Sequence, residues 1–363
     1  MTDALLGRRY ARTAPPPALS PRQTDTRRRI EAQDTPEDWE ETPCPCGAGD
    51  DILVSEVERH GLPYPKRLCR ACGLMRVSPR WTQARYGRFY AHEYRDLYAS
   101  RGDLNVEAYV RKLAGQPNAQ GVARFVASAC ADLLPGVERP TVVEIGAGGG
   151  WNLAGLPASW TRIGFDADDD YLKAGASAFG VAMRNGFWEE ALPTVAEADI
   201  TLLSHVVEHV PDPVATLWAL GRTVRPGALI VVEVPGIFRI HSTVRDPMRY
   251  MQNAHTFTFC AETFTAVCEA AGLEVVRVDE FCRAVLRAGL APQDAPRPTR
   301  HIAGLARDVL RYLRWCDAGR GLSQGVGNVL RMTRAASVVE FCWDAFTRIL
   351  LRLGVFGRHV RSR

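Results

Sequence analysis

The sequence predicts an α/β fold, a mostly parallel sheet covered by helices, and three observations carry that expectation. From Thr141 onward, short apolar runs ("TVVEIG", "WTRIGFD", "ADITLLS", "ALIVVEVPG", "LEVVRVDEF") alternate with helix-length segments. The first run ends in four glycines within five residues, Gly146 to Gly150, the mark of a chain that turns sharply and brings its backbone against a ligand. The 363 residues are 46% hydrophobic and 24% charged, which is ordinary for a globular chain able to bury a sizeable core.

The elements follow in order. Residues 1–42, rich in Arg, Pro, Thr and Asp, have few apolar side chains to offset ordering entropy and are expected to be disordered. Residues 43–78 form a cysteine segment, 79–135 a helical region, 136–290 the sheet domain, 291–300 a Pro-rich linker, and 301–363 a basic amphipathic helical region. No apolar run of membrane-spanning length occurs, and the first residues lack a signal-like apolar stretch, so a cytoplasmic location is expected. The formal charge of +4 is uneven: residues 295–363 carry 13 Arg against four acids, leaving the preceding part at −5.

Four of the ten cysteines sit in two glycine-ended knuckles, Cys44 and Cys46 in "CPCG", and Cys69 and Cys72 in "CRACG". Four thiolates on Zn²⁺ would staple a segment too small for its own core, so a structural zinc ribbon is expected. The first knuckle is C-x-C where C-x-x-C is usual, and His60 stands nearby as a substitute ligand. Cys130, Cys260, Cys268, Cys282, Cys316 and Cys342 read as buried free thiols.

The glycine cluster suits a nucleotide-type cofactor. A dinucleotide fingerprint starting at Gly146 would need its third glycine at position 151, which is Trp151. What remains, E-x-G-x-G-x-G over Glu144, Gly146, Gly148 and Gly150, resembles the first motif of class I S-adenosylmethionine-dependent methyltransferases. "RIGFDADDD", "ADITLLSHVVEHVPDP" and "VRPGALIVVEVPG" resemble that family's later motifs in order, over roughly residues 120 to 285. The resemblance implies a Rossmann-like, mostly parallel seven-stranded sheet with helices on both faces. It also implies S-adenosylmethionine as cofactor, with Gly146, Ala147, Gly148 and Gly150 admitting it and Glu144 and Asp166 anchoring its polar groups. Asp166, followed by Ala167, would take the ribose diol; Ser204 ends a further strand at the same edge. Where the family commonly places an acidic residue for the adenine amine, this chain has Phe187, so stacking is expected there.

"SHVVEHV" spells H-x-x-E-H, also a metalloprotease pattern, but its place directly after an apolar strand of such a sheet argues against a protease. If a helix begins after the strand, His205, Glu208 and His209 share a face. The segment resembles the E-x-x-E-H of ubiquinone-pathway O-methyltransferases and small-RNA 3′-end methyltransferases, which use those side chains and a later His, here His255, to bind a divalent metal. Three readings stay open: His205 or His255 as general base, a divalent metal on His205, Glu208, His209 and His255, or Glu208 and His209 as braces with His205 alone in the pocket.

The cysteine segment followed by "GLMRVSPRWTQARYGRFYAHEYRDLY" resembles the N-terminus of methyltransferases that modify sugars, including deoxysugar C-methyltransferases, whose full C-terminal domain is not evident here. Tyr90, Tyr94 and Tyr98 would line an acceptor pocket or pack on the core. The expected partner is a small-molecule or lipid-linked sugar acceptor, with peripheral membrane contact through residues 301–363. Nucleic acid is not expected, because the tail's arginines are interleaved with large aliphatics. Competing classes are a non-catalytic scaffold that kept the fold and an RNA-modifying methyltransferase.

Overall fold

The computed structural model describes residues 5–15, 17–98, 105–288, 294–330, 343, 345–351 and 353–355. It divides into two units. One, the sheet unit, comprises residues 101–234 and 264–297; the other, the ribbon unit, comprises 1–100, 235–263 and 298–363. Residues 235–263 thus leave the segment assigned to the sheet domain from sequence.

The sheet unit carries the expected α/β architecture. Its strands are β1 (Thr141–Ile145), β2 (Thr161–Asp166), β3 (Ala182–Asn185), β4 (Ile200–Ser204), β5 (Leu229–Glu233), β6 (Leu273–Val278) and β7 (Arg283–Ala288), in spatial order 6-7-5-4-1-2-3. β3, β2, β1, β4 and β5 run parallel, with Glu144 opposite both Gly164 and Leu202; β7 is antiparallel to both neighbours. The chain steps outward from β1 to β3 and then returns to lay β4 on β1's other side. That reversal opens a crevice at the carboxyl ends of β1 and β4, where open α/β sheets bind ligands.

Every residue of β4 and β5 is buried, which is why both read as continuous apolar runs with no alternation. Val142, Ile200, Leu202, Leu229, Val231 and Val285 form the core with Val126 and Leu153. The helices start where the chain supplies caps. The Asp168 carboxylate accepts from the Asp170 and Tyr171 N–H groups at the head of Asp169–Phe179, and Asp212 does the same for Pro213–Thr223, with Pro213 in the first turn.

In the ribbon unit, strands Asp51–Val57, Pro63–Cys69, Met75–Val77 and Phe257–Thr258 pair antiparallel in that spatial order. Residues 21–33, inside the stretch expected to be disordered, instead form a helix. Pro21 opens it, and the Ser20 and Gln23 side chains cap each other's backbone N–H. Its few apolar residues are well placed: Ile30 is fully buried with Leu62, Trp81, Phe89 and Leu97. Composition counted the apolar groups but not their shared face.

Tyr94 and Tyr98 of the tyrosine stripe pack against that same cluster while Tyr90 is exposed, with ring centroids 5.4 Å apart from Tyr90 to Tyr94 and from Tyr94 to Tyr98. In the tail, helix Leu305–Leu330 buries Leu305, Val309, Tyr312, Leu313 and Cys316, and the Tyr312 hydroxyl donates to the Phe238 carbonyl at 3.0 Å. The apolar face of "LARDVLRYLRW" is therefore covered within the unit. Arg352, Arg358 and Cys342 lie outside the described residues. Among the described residues, no helix is long and apolar enough to cross a membrane.

Candidate functional site

The glycine loop leaves β1 with Gly146, Gly148 and Gly150 at φ 70°, 54° and 69°, the left-handed region that disfavours side chains. Space is scarce as well. A Cβ on Gly146 would lie 2.6 Å from Val206, one on Gly148 2.1 Å from the Trp151 ring, and one on Gly149 1.8 Å from Val110. Gly175, on the helix after β2, has the Gly149 carbonyl 2.4 Å from where its Cβ would be. The loop is thus bare for two reasons, backbone conformation and close packing by the protein's own side chains.

Asp166, at the end of β2, faces this loop. Its carboxylate accepts from the Gly148 N–H at 2.8 Å and the Asp168 N–H at 3.0 Å, one bond to each oxygen, which orients the group on the loop. Ala167 beside it is exposed, Ser204 at the end of β4 is buried, and Phe187 is 66% exposed, its ring available for stacking. Glu144 lies beneath the loop, wholly buried. One oxygen accepts from Asn152 Nδ2 at 2.7 Å, and the other has no partner among the described residues. Burial pushes the Glu144 carboxyl up to about 8, against the hydrogen bond from Asn152 and with the charge of Asp166 adding to the rise.

No helix begins after β4. Residues 205–210 form a turn, because Pro211 and Pro213 delay the helix until Asp212 can cap it. His205 opens the turn at φ 57°, its N–H donating to the Glu233 carbonyl at 2.9 Å. The expected helical face is replaced by an ion-pair chain: His205 Nδ1 lies 3.1 Å from Glu208 Oε1, and His205 Nε2 lies 3.5 Å from Glu233 Oε1. His209 Nε2 lies 3.8 Å from the same Glu208 oxygen.

Partial desolvation lowers the His205 pKa, but the two carboxylates outweigh it and raise the value to about 10. Burial pulls Glu208 upward while His209 and His205 hold it below the usual range. An imidazole protonated at neutral pH, with each nitrogen facing a carboxylate, is poorly placed to take a proton. Glu233 was missed from sequence; its signal is the single acid inside the apolar run "ALIVVEV". His255 belongs to the ribbon unit, where its carbonyl accepts from Lys66 Nζ at 2.9 Å and from the Tyr64 hydroxyl.

The ribbon unit brings together Cys44, Cys46, Cys69 and Cys72, all buried, with neighbouring sulfurs 3.4 to 3.6 Å apart. Four sulfurs about 2.3 Å from a tetrahedral zinc lie about 3.8 Å from one another, so the donor set fits that ion despite the short first knuckle. Gly47 and Gly73 close the knuckles, each N–H bonding back to Cys44 and Cys69 carbonyls at 2.8 and 2.9 Å. His60 is not needed as a ligand; its Nδ1 lies 3.2 Å from Glu58, whose other oxygen accepts the His60 N–H.

With the loop, the facing acid and the switch in strand order established, the comparisons with known proteins agree at one point. Residues 116–278 match the family model described as a methyltransferase domain. This segment is similar to that domain family. It spans the helix before β1 through β6 and takes in the loop, Asp166 and the His205 turn. No curated protein matches the chain.

Solved structures are similar over about half of it. The complex between the Haloferax volcanii Trm112 methyltransferase activator and a methyltransferase shares 18% identity, covering 52% of this chain and 97% of that one at a TM-score of 0.40. An O-methyltransferase family protein from Burkholderia thailandensis shares 16%, covering 58% and 64% at 0.40. Streptomyces venezuelae DesVI shares 13%, covering 51% and 98% at 0.36.

Proposed function

We propose that the protein transfers a methyl group from S-adenosylmethionine to a hydroxyl or carbon of a small or lipid-linked sugar or natural-product acceptor, and that the cysteine cluster holds a structural zinc. The observation that carries the reading is Asp166 turned onto the Gly146–Gly150 loop within a segment similar to the methyltransferase domain family. The residues present fit such a cofactor: a carboxylate at the loop for a diol, the exposed Phe187 ring for a base, and a buried Glu144 oxygen without a partner among the described residues. The bound cofactor supplies an already activated methyl, so the chain's task is to align the acceptor and exclude water. Glu208 and Glu233 fix the His205 ring at the carboxyl edge of β4, where it acts as an oriented donor more readily than as a base.

Isothermal titration of S-adenosylmethionine into about tens of micromolar protein tests the cofactor assignment, with Asp166→Ala as control. Binding lost in the variant supports it; no heat with the native chain favours a non-catalytic scaffold. His205→Ala should cut turnover about 10²-fold at nearly unchanged cofactor affinity. Unaltered turnover would remove His205 from the mechanism. The metal reading of His205, Glu208, His209 and His255 is separated by counting metal per chain: one equivalent of zinc fits the cysteines alone, whereas a second equivalent lost in Glu208→Gln supports a divalent ion.

Membrane contact retains one supporting observation. Phe346, Ile349, Leu353 and Val355 are about half or more exposed beside the exposed Arg348. Replacing Phe346 and Ile349 by Ser should abolish sedimentation with anionic liposomes; equal sedimentation assigns the tail another role.

A further inference from the structure

The ribbon unit contains a pocket of about 410 Å³ that belongs to neither the glycine loop nor the cysteine cluster. Its origin is the alternation of strand Pro63–Cys69, "PYPKRLC". Tyr64, Lys66 and Leu68 point to the buried face, so Pro63 and Pro65 are turned to the opposite, half-exposed one. Pro79 and Trp39 complete a rigid apolar lining. Trp39 is held from behind by Trp81, whose backbone pairs with its own and whose ring centroid lies 6.0 Å away. Proline loses no side-chain rotamer freedom on ordering and a braced indole loses little, so this surface is organised before anything binds.

The polar groups narrow the class of ligand. Asp34 borders the pocket, but Arg85 Nε and Trp81 Nε1 donate to its two oxygens at 2.6 and 2.8 Å, so its charge is already answered inside the protein. That leaves Arg12 and Glu31, both exposed, one guanidinium and one carboxylate. Among the described residues, Glu31 has only a loose pair with Arg27 at 3.8 Å, and the Arg12 backbone is anchored by its N–H donating to Glu56 at 2.9 Å. One donor head and one acceptor head of opposite charge suit a neutral ligand whose groups both donate and accept, which is what hydroxyls do. A phosphate would meet Glu31 and an amine would meet Arg12. A purely apolar ligand would desolvate both for no return.

We infer that this pocket binds a neutral pyranose ring, its C–H face laid on Trp39 and the prolines and its hydroxyls shared between Arg12 and Glu31. The volume falls in the range of small-molecule sites and accommodates one or two sugar rings. The electron-rich face of an indole attracts the polarised C–H groups of a sugar, and the flat lining excludes water from that side. The site concerns binding only, and it does not rest on the methyl-transfer reading.

Saturation-transfer NMR on the full chain tests it, with maltose, lactose and N,N′-diacetylchitobiose as probes. The expected result is transfer to the ring C–H protons of at least one disaccharide, with Kd on the order of 1 mM. Trp39→Ala should weaken that binding about tenfold or more. Because Trp39 also packs on Trp81, the rim variants Arg12→Ala and Glu31→Gln provide a second reading. Each should weaken binding about threefold while leaving the circular dichroism spectrum and melting temperature unchanged. No transfer from any of the three sugars at about 10 mM, or sugar binding undiminished in the rim variants, overturns the proposal. Tighter binding of adenosine or of a sugar phosphate than of the neutral disaccharides at this site overturns it equally.

Discussion

The knuckles of the ribbon unit and the glycine loop of the sheet unit are both punctuated by left-handed glycines, yet they need them for different reasons. Gly47 turns the first knuckle at φ 77° with no atom within 4 Å of where a Cβ would sit. Gly149 meets Val110 at 1.8 Å and is not in the left-handed region at all. At the first knuckle the glycine serves conformation alone, whereas Gly73 in the second would also place a Cβ 2.6 Å from Leu305. In the loop the glycines make room for neighbouring side chains. Two stretches that look alike as sequence therefore answer to different physics.

The sharpest way to break the comparison is to remove a thiolate. Structural zinc sites supply about 10 kcal/mol or more of folding free energy, so Cys69→Ser should abolish zinc binding and cooperative melting of the ribbon unit. Zinc content by mass spectrometry and protease sensitivity within residues 43–78 check this. A native chain without zinc whose Cys69→Ser variant melts as cooperatively as before would show that the cysteines merely pack.

Next in size is the buried acid under the loop. The Glu144 pKa of about 8 in the folded chain exceeds its ordinary 4.5, so the folded state holds the proton more tightly. Its contribution to stability is fully present below about pH 4.5, falls as pH rises through about 8, and is flat above that. Glu144→Gln should escape the fall, gaining up to about 4 kcal/mol on the native chain between pH 5 and 9 in urea melts without cofactor. Parallel pH profiles for the two proteins would refute the buried-acid account.

Smaller effects separate the glycines themselves. Gly149→Ala should cost about 1–3 kcal/mol through overpacking, and Val110→Ala in the same chain should recover most of it. Gly47→Ala should cost about 1–2 kcal/mol of backbone strain that no second substitution relieves. If Val110→Ala fails to rescue Gly149→Ala, close packing by Val110 is not what keeps position 149 bare.

Much of this was legible in the residues. The strand-helix alternation after Thr141 marks the seven-stranded sheet, and E-x-G-x-G-x-G with Asp166 marks its crevice, because strand burial and tight turns are local properties. The cysteines were legible for the same reason: chelation demands residue types that serve little else. The helix at Pro21–Gln33 was not, since its stability comes from Ile30 meeting Trp81 and Phe89 far along the chain. Nor was the clamp on His205, whose partner Glu233 is 28 residues away and reaches it through the parallel register that sets Ser204 beside Glu233. The condition for a shared helical face of His205, Glu208 and His209, a helix straight after the strand, is not met because Pro211 and Pro213 delay the helix.

The ribbon unit is assembled from three separated lengths of chain, residues 1–100, 235–263 and 298–363. Arg9 shows what that entails: it bonds Asp246 and Asp317, with Tyr10 donating to Asp317 at 2.9 Å. During synthesis the cysteine knuckles emerge from the ribosome long before those two carboxylates exist, so the first hundred residues must wait for the last sixty. A nascent chain in that interval offers its thiolates to any bystander. Zinc capture by the early knuckles would then act as a placeholder, keeping the opening segment in order until its closing strokes arrive.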